Sequence, residues 1–396
     1  AGRDLLRARR LDRDRVLDLK LQALEALFAR FPGDPGLDAY REREGETLEL
    51  FATFCVLCEH HGRRWREWPA ELRHPGRPEV RAFAVRHAGR IRFHAWLQWQ
   101  LDRQLAAAAT ELPPIHDLAV GVDPDGADAW LFQDVLARGV TVGAPPDPFA
   151  AQGQDWSVPP FDPWRLRRAA YEPFVRTLRA NLRHGLGLRI DHVMGLFRLF
   201  WIPEGLGPQA GAYVRYPHRE LLGILALESR RAGALVVGED LGTVEADVRA
   251  ELQRHRVLSY RLLWFEQQPP AGYPAEALAA LTTHDLPTLA GIWEGADPDP
   301  GIRDRLRRHG GVREGASVAE AAAAAYGTLA ASPCRLVAAT LEDALGVVER
   351  PNRPGTGDPD NWSLALPVAL PALLEDPRPR ELVRRLRRPP AAAGPE

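Results

Sequence analysis

Residues 187–198 read G-L-R-I-D-H-V-M-G-L-F-R. Leu186, Leu188 and Ile190 alternate as one face of a strand does, and the alternation stops at Asp191 and His192. An apolar strand that ends in Arg-x-Asp-His is unusual for a core element. In a parallel α/β barrel, the carboxyl ends of the strands are where chemistry sits. Arg189 and Asp191 are two residues apart, so on a strand they point to the same side. A guanidinium beside a carboxylate favours its ionised form, which a nucleophile needs. Taken alone, the stretch reads equally well as a structural ion pair at a strand end.

Two later stretches repeat the pattern. Residues 234–240 read A-L-V-V-G-E-D, an apolar strand and a glycine followed by Glu239 and Asp240. Residues 278–288 read L-A-A-L-T-T-H-D-L-P-T, a strand running to His284 and Asp285. Between them 258–266, L-S-Y-R-L-L-W-F-E, is another strand with an acidic end. Acid-terminated strands recurring at the spacing of βα units predict several carboxylates converging on one pocket.

Upstream the character differs. Residues 1–110 are expected to form a helical subdomain, with helical periodicity over 11–31, 48–61, 78–87 and 91–109 and a break at P-G-D-P, 32–35. After Pro113 and Pro114 a strand is predicted over 115–122, then a D-P-D-G turn at 123–126. Residues 140–157, rich in Pro and Gly, read as a long binding loop or lid. Trp156 at its end reads as a sugar-stacking platform or as a plug holding the loop down. The stretch 111–387 is expected to be the catalytic barrel portion, with helices over 173–184, 217–232, 245–253 and 316–331. The tail 388–396 is expected to be disordered.

Composition narrows the function. The formal net charge of the 396 residues is -2, which gives no footprint for nucleic acid. No apolar run is long enough to span a bilayer, and no signal peptide is visible. Three cysteines, Cys55, Cys58 and Cys334, do not make a disulfide framework and fit a reducing cytosol. Cys55-x-x-Cys58 with His60 and His61 is half a zinc site without a second ligand pair, so no metal and no cofactor is expected. Met194 is the only methionine and the chain opens on Ala1, so a fragment or processed chain is expected.

L-R-I-D-H (188–192), V-V-G-E-D-L-G-T-V (236–244) and T-T-H-D-L-P-T (282–288) together resemble the amylomaltase family of 4-α-glucanotransferases, relatives of the α-amylases. G-Q-D-W (153–156), I-H-D-L-A-V-G-V (115–122) and N-W-S-L-A-L-P (361–367) extend the likeness in the family's order. The resemblance implies a (β/α)8 barrel of the TIM type with the helices of 1–110 as an insertion. It implies a retaining double displacement on α-1,4-glucans and maltooligosaccharides, and the cysteine count leads to the expectation of a cytoplasmic protein. Asp191 matches the family's nucleophile, Glu239 its acid/base and Asp285 its transition-state stabiliser. Arg189, His192, His284 and Trp156 are read as substrate-binding residues, while Asp125 matches a family acid near the first sugar contacts and Asn352 a family loop on the same rim. The family's opening section, with two barrel strands and a Ser-Pro-Tyr segment, has no counterpart, so about six of the eight strands of a closed barrel are expected. Ser157 stands where the family usually has glycine, and Ala150 where it usually has serine.

Three other readings stay open at this point. One is an α-glucan hydrolase of the amylase type, which shares the covalent intermediate and differs only in the acceptor. Another is an inactive glucan-binding fragment. A metal-dependent barrel hydrolase ranks last, since no His-x-His ligand set is present. Oligomeric state is not legible.

Overall fold

The computed structural model describes residues 2–5, 8–146, 151–242, 244–354 and 356–387. Ala150, the tail 388–396 and part of the 140–157 stretch lie outside the described residues. Contacts divide the chain into two compact units, Gln22–Glu239 and Ala1–Leu21 with Asp240–Glu396.

In the first unit, helices α1 (Pro35–His61) and α2 (Ala88–Glu111) pack together. Asp34 starts α1 by accepting the Gly36 N–H at 2.7 Å, with Pro35 in the first turn. Periodicity shows α1 only from residue 48 because Gly45, at φ 60°, interrupts the helical pattern. Phe54, Leu57, Trp68, Phe83, Ile91 and Trp130 close a core beneath these helices. Several of the chain's tryptophans are therefore core residues. Cys55 and Cys58 are free thiols on α1, and burial pushes them up to about 12 and about 11. Both stay protonated at neutral pH.

Among its described residues the same unit holds seven strands: β1 (Ile115–Leu118), β2 (Val140–Ala144), β3 (Gln154–Val158), β4 (Gly187–Ile190), β5 (Arg198–Pro203), β6 (Ala212–Arg215) and β7 (Leu235–Gly238). β1, β4 and β7 form a parallel sheet in that order. Parallel neighbours need crossovers. Helices α3 (Glu172–Leu182) and α4 (His218–Ala232) precede β4 and β7 and pack on each other. Gly187 permits the tight approach of β4 to β7, since a Cβ there would stand 2.7 Å from the Leu235 carbonyl oxygen.

The remaining four strands form an antiparallel sheet ordered β3-β2-β5-β6. This corrects the expectation of a structureless loop over 140–157, since both ends of that stretch are strands. Val140, Thr141 and Val142 have the β-branched character of a strand, and the prolines that suggested a loop sit beyond Ala144.

In the second unit, β8 (Ser259–Leu262), β9 (Ala277–Ala280) and β10 (Leu336–Val337) form a parallel sheet ordered β10-β9-β8. Helices α5 (Leu289–Glu294) and α6 (Val318–Ala330) cover it with Trp264, Ile292, Leu306, Tyr326 and Leu329. A reciprocal capping box between Ser317 and Glu320 starts α6. β9 stops at Ala280, so Asp285 lies on the following loop and not at a strand end as expected. In the loop that follows, the Thr282 hydroxyl and the Trp264 indole both donate to the Pro287 carbonyl at 2.9 Å. Among the described residues no helix is long and apolar enough to cross a membrane.

Candidate active site

Asp191 and Glu239 each stand one residue beyond a strand, and each is still held by a backbone bond to the neighbouring strand, Glu239 to β4 and Asp191 to β1. Ile190 pairs with Gly238, the Glu239 N–H donates to the Ile190 carbonyl at 2.9 Å, and the Asp191 N–H donates to the Leu118 carbonyl at 2.9 Å. The two acids are thus register neighbours. The His192 N–H donates to Glu239 Oε2 at 2.9 Å, and the Val193 N–H donates to the Glu239 carbonyl at 3.0 Å. Backbone from beside Asp191 therefore aims the Glu239 carboxylate.

Arg189 is in register with Asp117 on β1 and with Val237 on β7. Its guanidinium donates to Asp191 Oδ1 at 2.8 Å and to Asp117 Oδ1 at 2.6 Å. The expected pair is present, and Asp117 is a second carboxylate on the same cation. Sequence reading passed over Asp117 as a site residue. It lay within the strand 115–122, at the position that register sets opposite Arg189.

The neighbouring acid of the same motif does something else. Asp240 is buried, and its carboxylate accepts the Tyr260 N–H at 2.9 Å and the Ser259 hydroxyl at 2.6 Å. It clasps β8 and serves structure. Of the consecutive acids in V-V-G-E-D, Glu239 alone shares the surroundings of Asp191.

His192 adopts φ 46°, an uncommon left-handed conformation. Burial holds its imidazole below the ordinary value; the Asp191 charge opposes this and Arg198 reinforces it. The ring meets Trp156 edge to face, with centroids 5.1 Å apart. Trp156 also donates its indole N–H to Gln154 Oε1 at 3.1 Å. Ser157 follows at φ 57°, a conformation glycine adopts without penalty, and its N–H is held by Asp155 Oδ1 at 2.7 Å. That backbone explains why glycine suits position 157.

His284, Asp285 and Asn352 form a second cluster. Asn352 donates its side-chain amide to Asp285 Oδ1 at 2.7 Å and its backbone N–H to the His284 carbonyl at 3.1 Å. His284 Nε2 lies 3.5 Å from Asp285 Oδ2. Trp362, not singled out from sequence, joins them with its ring 4.9 Å from that of His284. The trace of it in the sequence was the N-W-S motif itself. Asp125 is engaged elsewhere, accepting from Arg66 at 3.2 Å in the 123–126 turn. Among the described residues no group of three or more His, Cys, Asp or Glu is arranged to hold a metal ion.

Comparison with known proteins gives a consistent result. The family described as 4-alpha-glucanotransferase matches residues 2–369. A 4-alpha-glucanotransferase of Mycobacterium bovis is 46% identical over 92% of this chain and 57% of its own length. The crystal structure of amylomaltase from Corynebacterium glutamicum superposes with a TM-score of 0.83 at 34% identity, covering 98% of this chain and 61% of that one. An amylomaltase from Streptococcus agalactiae in complex with acarbose superposes with a TM-score of 0.81 at 18% identity, covering 95% and 79%. The chain thus spans a little over half the length of the mycobacterial relative.

Proposed function

The chain belongs to the 4-alpha-glucanotransferase family, and on that premise we propose that it moves an α-1,4-glucan segment to the 4-hydroxyl of an acceptor glucan or glucose. The observation that carries this reading is the register adjacency of Asp191 and Glu239 at the ends of β4 and β7. Neighbouring strands lie about 4.8 Å apart. A retaining pair of carboxyl groups is separated by about 5–5.5 Å, and an inverting pair by more.

Arg189 engages Asp191 Oδ1, and Oδ2 is the oxygen we assign to attack the anomeric carbon. Glu239 protonates the leaving glycosidic oxygen as that bond breaks, giving a covalent glycosyl-enzyme. The resulting carboxylate then takes the proton of the acceptor hydroxyl, whose oxygen displaces Asp191 with overall retention. The His192 N–H on Oε2 fixes the orientation of Glu239 in both steps. Asp285, aided by His284 and Asn352, is assigned to grip sugar hydroxyls, and Trp156 to stack a sugar ring. Asp125 is assigned a sugar contact near the first ones. In this reading the six parallel strands belong to an incomplete (β/α)8 barrel with the helices of 1–110 inserted. The enzyme is cytoplasmic and uses no cofactor. Acarbose bound to the streptococcal relative supports an α-glucan as substrate.

Incubation with maltotriose tests the proposal. A ladder of longer oligomers with released glucose is expected. Glucose and maltose alone would identify a hydrolase. Binding without turnover would identify an inactive glucan-binding chain.

A further inference from the structure

Trp362 differs from the other tryptophans of its unit. Trp264 and Trp293 are 0% and 7% exposed, and their indole N–H groups donate to the Pro287 and Ala316 carbonyls. They serve packing. Trp362 is 51% exposed and its backbone is held at φ 55°, a conformation that bulky residues rarely adopt. Such backbones persist only where surrounding structure enforces them, and they cluster at functional sites.

The enforcing contacts are explicit. The Trp362 N–H donates to the Pro351 carbonyl at 2.8 Å. Asn361 Oδ1 accepts the Arg353 N–H at 2.8 Å, and the Asn361 amide returns a bond to the Arg353 carbonyl at 3.2 Å. Arg350 forks onto Asp297 through Nε at 2.6 Å and Nη2 at 2.5 Å. The flat indole is thus set rigidly beside His284, next to the Asp285–Asn352 pair. An apolar face adjoining a carboxylate, an imidazole and an amide matches a pyranose ring, which offers C–H groups on its face and hydroxyls on its rim.

We propose that Trp362 is a stacking shelf for one glucose residue of an α-1,4-glucan, next to the sugar gripped by His284, Asp285 and Asn352. The proposal rests on the glucan-transfer reading above and adds a binding position to it.

Oxidation of tryptophans by N-bromosuccinimide, mapped by peptide mass, tests the shelf on the unaltered chain. Trp164, 68% exposed on an outer helix, is the internal control. Maltotriose at saturation should slow oxidation of Trp362 by about tenfold or more, the protection expected at an occupied site, and leave Trp164 unchanged. In parallel, Trp362→Ala should raise KM for maltotriose about tenfold with kcat within about twofold, the pattern of lost uniform binding. Trp362→Phe should recover most of the loss. If maltotriose binds by calorimetry while Trp362 oxidises at its unprotected rate, the shelf is wrong and the glucan reading survives. If the chain shows no maltotriose binding at all, the glucan reading fails and the shelf with it. Should Trp362→Ala not fold, the oxidation rates decide alone.

Discussion

Two acidic groups in this protein are placed by different physics. Asp191 and Glu239 follow directly from paired strands, and the hydrogen-bond ladder that aligns β4 with β7 also aligns the two carboxylates. Asp285 sits on a loop beyond the end of β9 and is held by a side chain from far along the sequence, Asn352. A sheet positions what it carries through backbone bonds that any sequence makes. A loop acid needs an imported partner, and its placement is as fragile as that partner's bond. The difference gives a ranking of mutational effects.

The strand-end pair should be nearly all-or-none for chemistry and neutral for folding. Asp191→Asn is expected to lower maltotriose disproportionation by at least about 10⁴-fold, and Glu239→Gln by about 10²–10⁴-fold. Circular dichroism and thermal midpoints should stay close to those of the unaltered chain. A variant at 191 that keeps a near-normal rate would remove that residue from the nucleophile role.

The loop acid should be sensitive to its partner. Asn352→Ala deletes the 2.7 Å bond to Asp285. A hydrogen bond to a charged group contributes about 1.5–3 kcal/mol, so kcat/KM should fall about 10–100-fold. A fall of less than about threefold would mean that Asp285 keeps its place without Asn352, which would erase the distinction between the two regions.

Acid stability supplies a control away from both regions. Burial pushes Glu44 upward, but hydrogen bonds from Arg183 and Arg43 outweigh it, and its carboxyl lies below the ordinary 4.5. Asp102 is opposed by burial in the same way and is held below 3.8 by His184 and Arg183. With the folded values depressed, the unfolded chain binds more protons in this window, so stability rises with pH. The contribution is complete above the ordinary values and is lost as pH falls through the depressed ones. Urea midpoints measured across that range should fall, and Glu44→Gln should flatten the fall.

The smallest expected effect tests the backbone beside Trp156. Ser157→Gly removes the penalty of a left-handed serine, about 1 kcal/mol, offset in part by the freer unfolded glycine chain. A gain below about 1 kcal/mol in denaturant unfolding is expected. A loss would mean that the added freedom of the unfolded glycine chain outweighs the relieved strain.

The strand-end site was legible because short apolar runs, one of them alternating, break off abruptly into acids. Leu188, Ile190, Val236 and Val237 mark the strands, and the acids follow at once. The antiparallel strands β2 and β3 were hidden because the prolines and glycines that follow Ala144 in the sequence outweigh the short β-branched run at Val140. The end of β9 was misread by the same local reasoning. Nothing apolar stops at Ala280, and the loop after it is tied by contacts that no local pattern shows, the Thr282 hydroxyl and the Trp264 indole both reaching the Pro287 carbonyl.

By itself, then, the amino-acid order determined which strands carry acids and which arginine accompanies the first of them, since both are consequences of residue spacing within a single element. Only the tertiary structure decided that Asp117 shares Arg189, that Asp240 clasps β8 while Glu239 faces His192, and that Asn352 and Trp362 meet His284 and Asp285. Those partners lie tens of residues apart. Local propensity falls off within a few residues, whereas contacts between distant segments are set by packing and strand register.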